Sequence, residues 1–118
     1  MEQQNTREEI VQIVRKLGFQ FSYRGTFNLV DAVGLCIEDP EALTAVTKLV
    51  YPAVGKKTGD KWRTVERNMR TALEGFWQRG NREFLNEIAG YELRMRPSVG
   101  EIINYIAGYM WEQGHRKL

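Results

Sequence analysis

The apolar residues of this chain recur at intervals of three and four, in short blocks that glycine and proline separate, and this spacing restricts it to a bundle of helices. Ile10, Ile13, Val14 and Leu17 follow Thr6 and Glu9, which have capping-box spacing, so a first helix is predicted from Thr6 to a stop at Gly18. Phe19, Phe21 and Tyr23 alternate only briefly before Gly25, the pattern of a loop or short extended piece laid on the core rather than of a sheet strand. Phe27, Val30, Val33 or Gly34, and Ile37 mark a second helix, which ends before Asp39 and Pro40 because the residue preceding proline disfavours helix. Leu43, Val46, Thr47 and Val50 predict a helix over about 41–49. Pro52, tolerated in a first helical turn, predicts a restart over about 51–57 that ends near Thr58 and Gly59.

The longest stripe comes next. Val65, Met69, Ala72, Leu73 and Phe76 line one side of a helix expected from about Lys61 to Gln78 and closed by Gly80 and Asn81. Phe84, Leu85 and Ile88 form a short helix ended by Gly90, and a loop containing Pro97 follows. Ser98 and Glu101 make a second capping box, from which Ile102, Ile103, Ile106, Tyr109 and Met110 carry the last helix to Gly114. The expected fold is all-α, a compact bundle of about six or seven short helices forming one domain over residues 1–118.

Several function classes are excluded by what the chain lacks. With Cys36 the only cysteine and His115 the only histidine, neither an intramolecular disulfide nor a zinc site from the usual ligands can be assembled. Cys36, between Val33 and Ile37, reads as a small buried side chain, and His115 as a solvated residue of the polar tail from Gln113 to Leu118. No nucleophile stands beside a base and no metal set converges, so no enzyme and no cofactor are expected. Residues 1–9 are polar and acidic, unlike a signal peptide, and no apolar run reaches the roughly 18 residues that span a bilayer. The expected location is the cytoplasm, in association with the nucleoid.

Charge is informative only through its distribution. From Lys48 to Arg82 nine basic residues face three acidic ones, a surplus of six, whereas the whole chain carries only +2. Such a segment suits either a surface that meets phosphate or a solvated basic helix face. Within it, the short stretch Thr58 to Lys61, containing Gly59, joins two predicted helices in the manner of a helix-turn-helix spanning about 51–79. At 100° per residue, Arg63, Glu66, Arg67, Arg70 and Glu74 share the face opposite Val65, Met69, Ala72 and Phe76. Arginine can bond guanine O6 and N7, and glutamate can accept from the cytosine amino group, so this face has the groups that read base edges in a major groove. Lys56, Lys57, Lys61 and Arg63 flank the turn and are expected on phosphates. The competing reading of the same face is an intrahelical charge pair, Glu66 with Arg70, that needs no DNA.

From Leu17 to about Tyr109 the chain also resembles a known family. The stretches that carry the likeness are Leu17-Gly18-Phe19, Glu38-Asp39-Pro40-Glu41, Leu49 through Lys57, Val65-Glu66-Arg67, Trp77-Gln78-Arg79-Gly80-Asn81 and Gly90-Tyr91. In order and spacing they resemble the C-terminal effector domain of stage zero sporulation protein A, the sporulation response regulators of endospore-forming bacteria. That resemblance implies an all-helical domain that binds double-stranded DNA through a helix-turn-helix, with Glu66, Arg67 and Arg70 at the family's base-reading positions. Thr64 and Thr71 stand where the family commonly has arginine and histidine. They complete the expected base-reading set and imply a shifted sequence preference. The resemblance further implies contact with RNA polymerase through a neighbouring surface, here the Asn81 to Gly90 region. The 118 residues leave no room for the family's receiver domain, so regulation by phosphorylation is not expected to carry over.

The expected function is thus a stand-alone, sequence-specific DNA-binding regulator, monomeric or weakly dimeric and cooperative on repeated sites. The rival is an adaptor or antagonist that keeps the fold and binds a homologous regulator or polymerase. Trp62 and Trp111 would serve such an interface, although Trp77, Phe76 and Trp111 equally suit a core.

Overall fold

A computed structural model describes residues 2–115, with the side chains of residues 5–114. Those residues form six α-helices and contain no strand: α1 (Glu2–Leu17), α2 (Arg24–Glu38), α3 (Tyr51–Thr58), α4 (Trp62–Arg79), α5 (Arg82–Ala89) and α6 (Val99–Met110). The chain is all-α, as its periodicity required. The solvated reading of His115 lies outside the described side chains.

α2 is the central element. It carries an apolar stretch between Thr26 and Ile37 and packs against α1, α4 and α6. It comes close to α4 at Gly25, where a Cβ would lie 1.9 Å from the carbonyl oxygen of Asn68. Only glycine lets the two backbones meet at that distance. The inner stripe of α4, Val65, Met69, Ala72, Leu73 and Phe76, is buried along its whole length. Phe19 leaves the end of α1 to stack on Phe76 at 4.7 Å between ring centroids, so the 19–23 segment is a loop laid on the core, as its brief alternation suggested.

Three boundaries differ from the sequence expectation. α1 begins at Glu2 rather than Thr6, so Thr6 and Glu9 lie inside the helix instead of opening it. The helix expected over about 41–49 is a 3₁₀ stretch, Pro40–Ala45, followed by a π turn, Val46–Val50. Pro52 supplies the reason for the π turn: a proline ring clashes with the carbonyl four residues back, here Lys48, and has no N–H to offer it. The widened turn absorbs the misfit by bonding the Tyr51 N–H to Val46 O, five residues back. α6 likewise ends at Met110 and passes into a π turn, Trp111–His115, in which Gly114 is left-handed at φ 101°. Its start conforms in full, with Ser98 accepting from Glu101 N and Glu101 accepting from Ser98 N.

Phe27, expected among the apolar positions of α2, is 48% exposed and rests edge-on against Phe21. Cys36 is buried as expected, and burial, seconded by the Asp39 charge, pushes its thiol up to about 11. Of the aromatic residues expected in the core, Phe76 is fully buried, while Trp77 and Trp111 pack against it partly covered.

Candidate nucleic-acid interface

Three residues, Gly59, Asp60 and Lys61, separate α3 from α4. Gly59 takes the left-handed conformation at φ 82°, and the N–H groups of Gly59 and Asp60 both return to Gly55 O, closing the end of α3. The turn is tight enough that a Cβ on Gly55 would lie 2.4 Å from the Asp60 carbonyl oxygen, with Val65 of α4 packed just beyond. A glycine in the middle of an eight-residue helix costs helix propensity, and this close approach is what it is for. Asp60 is held from the other side by Arg24 at the start of α2, 3.8 Å away.

This frame buries one side of α4 and leaves the other in solvent. Arg63, Arg67, Arg70 and Thr71 are exposed on it, Thr64 and Glu66 are half-covered, and Lys56, Lys57 and Lys61 are exposed around the turn. All nine residues singled out by sequence therefore lie on α3, the turn and the first three turns of α4. Their contacts divide them. Arg70 donates to both carboxylate oxygens of Glu66, at 2.8 and 3.2 Å, which is the intrahelical pair weighed against base reading. Thr71 donates its hydroxyl to Arg67 O at 3.0 Å. Arg63 lies over the ring of Trp62, itself 39% exposed at the start of α4. Among the described residues, Lys56, Lys61 and Arg67 have no ion-pair partner.

Lys57 is a different case. Its ammonium sits 3.3 Å from Asp31, whose carboxylate also receives Arg7 of α1. One largely covered acid on α2 thus ties α1 and α3 together and occupies a lysine expected on phosphate. Sequence reasoning missed Asp31, although it is the only charged residue in the apolar run from Thr26 to Ile37. It also passed over Tyr51, which is nearly covered beneath Glu66 and Arg70. Burial first, and then the Glu66 charge against the opposing pull of Arg70, pushes the Tyr51 phenol up to about 12, so it remains a neutral hydroxyl.

Among the described residues no group of His, Cys, Asp and Glu could hold a metal ion, and no helix is long and apolar enough to cross a membrane. Residues 10–110 match the family described as Sporulation initiation factor Spo0A C terminal. The chain belongs to this family. The match runs from the first buried residue of α1 to the last of α6 and includes the turn and the whole of α4. The Spo0A C-terminal domain is a DNA-binding effector domain of sporulation regulation rather than an enzyme, and the all-α architecture of this member agrees with that assignment.

Proposed function

We propose that the α3–turn–α4 unit acts as a helix-turn-helix and that the protein is a sequence-specific transcriptional regulator of the cytoplasmic nucleoid. The observation that carries this reading is the division of α4. Its inner stripe is fully buried, while beside the tight turn its outer face presents Arg63, Glu66, Arg67 and Arg70 to solvent on a rigid helix. Arg67 is free to reach a base edge. Glu66 and Arg70 form an intrahelical pair at an exposed site, and such a pair costs little to keep or to exchange for a base. Thr64 and Thr71 border this set, one turn before and one after Arg67. Lys56, Lys61 and Arg63 position the domain on phosphates, and Lys57 joins them by leaving Asp31. The protein acts as a monomer or weak dimer that binds repeated sites cooperatively.

The exposure of Trp62 does not by itself favour the adaptor reading, because this residue is the first of α4 and its ring is already covered in part by the Arg63 guanidinium. Selection of bound duplexes from a random pool tests the proposal. A single enriched motif of a few base pairs, bound more weakly as salt rises, is the expected result. Recovery of unenriched sequence, with binding that ignores salt, would remove DNA reading from this chain.

A further inference from the structure

Beside the outer face of α4 lies an open groove of about 380 Å³, walled by Tyr51 of α3, Glu66 and Arg70 of α4, and Arg96, Ser98 and Gly100 around the start of α6. Its donors outnumber its free acceptors. Tyr51 is only 6% exposed, and its hydroxyl has no hydrogen-bond partner among the described residues. At the start of the twelve-residue α6, the Ser98 side chain takes the Glu101 N–H and the Ser98 carbonyl takes that of Ile102. The N–H groups of Val99 and Gly100 are left without an acceptor, at the positive end of the helix dipole. Arg96 has one partner, Glu74, at 3.2 Å in an exposed pair of the kind worth little in water. The one acid on the wall, Glu66, is already matched through both of its oxygens by Arg70.

We propose that this groove seats a phosphate group, held by the Tyr51 hydroxyl, the Val99 and Gly100 N–H groups and the Arg96 guanidinium. An oxyanion answers all four donors at once, whereas a neutral ligand leaves the helix terminus and Arg96 uncompensated. The source of the phosphate rests on the DNA-binding reading. Because the groove adjoins Glu66 and Arg70, the group that fills it is a backbone phosphate at the edge of the major groove that α4 enters. The same chemistry would accept a free phosphate monoester.

Two measurements on the full chain separate these sources. In the first, inorganic phosphate is titrated at constant ionic strength while the amide resonances are followed. Saturable shifts of the Val99 and Gly100 amides are expected, lost in Tyr51→Phe, which removes one oxygen and keeps the ring packed. In the second, duplex affinity is measured for Tyr51→Phe and Arg96→Gln. Each is expected to weaken the selected duplex and a scrambled one alike, on the order of tenfold, and Arg96→Gln also to make the salt slope shallower by about one unit. Amide shifts with unchanged duplex affinity would keep the phosphate site and assign it to a free ester. Amide shifts in a protein that binds no duplex would do the same while DNA reading alone fails. Absence of saturable shifts, together with unchanged duplex affinity in both variants, overturns the proposal.

Discussion

The two sides of α4 obey different rules. The inner side is dictated by neighbours: Phe76 stacks on Phe19, Gly25 meets the backbone at Asn68, and no position from Val65 to Phe76 on that stripe touches water to any extent. The outer side has almost no neighbours to satisfy, so packing cannot explain its composition. A face chosen only for solubility would serve with lysine and glutamate in helix pairs. This one carries three arginines and two threonines beside a tight turn, with only two glutamates, Glu66 paired with Arg70 and Glu74 with Arg96. The contrast separates residues kept for stability from those available for recognition.

The largest effect is expected on the inner side. Phe76→Ala should cost about 3–5 kcal/mol of stability, because it removes a fully buried ring and the stacking partner of Phe19. Denaturant unfolding checks this, and a cost under about 1 kcal/mol would mean that the Phe19–Phe76 contact is loose. A second core change should act with the opposite sign. Asn28 is fully buried, and neither polar atom of its amide has a partner among the described residues, so Asn28→Leu, of nearly the same shape, should stabilise by about 1–2 kcal/mol. Destabilisation in the same unfolding assay would reveal a hydrogen bond that the amide makes to a buried water.

The pH dependence follows from two buried acids whose folded values lie above their ordinary ones, Cys36 from 9.0 to about 11 and Tyr51 from 10.0 to about 12. Between those limits the unfolded chain gives up protons that the folded chain retains. Stability should therefore be intact below about pH 9 and fall as pH rises from there towards 12. Melting temperatures across that range test the trend, and Tyr51→Phe should flatten its upper part. The smallest effect belongs to the outer side. Lys57→Ala should weaken selected and scrambled duplexes equally and make the salt slope shallower by about one unit, with a modest loss because Asp31 already competes for the ammonium. A loss confined to one sequence would move Lys57 to base reading.

Much of this contrast was legible in the amino-acid order, since an inner stripe at helical spacing and the charged face opposite it are both local patterns. The capping box at Ser98 and Glu101 was equally local and is present as read. What could not be read depends on distant partners. Asp31 meets Arg7 and Lys57 from 24 and 26 residues away, and no spacing rule links them. Segment 40–50 has helical periodicity, yet its apolar positions are met by 3₁₀ and π geometry, and Pro52 accounts for the π turn by forcing the turn before it to widen. The Tyr51 and Arg96 groove forms only when the start of α6 folds back beside α4, so neither residue stood out in sequence. Phe27 kept the helical interval but faces solvent, because periodicity places a residue on a stripe without saying how far the neighbouring helix extends over it.

The central claim, that the outer side of α4 reads base edges, is tested most directly by one set of affinities. Glu66→Ala, Arg67→Ala and Arg70→Ala would each be measured on the selected duplex and on a scrambled one at the same salt. Arg67→Ala and Arg70→Ala should each cost about 1–3 kcal/mol on the selected duplex and far less on the scrambled one. Glu66→Ala should hold or raise total affinity, since it removes a carboxylate that repels phosphate, while relaxing discrimination at one base pair. Retention of both affinity and preference by all three variants, with their folds intact, would contradict the account and leave the charged side of α4 as a solvated surface.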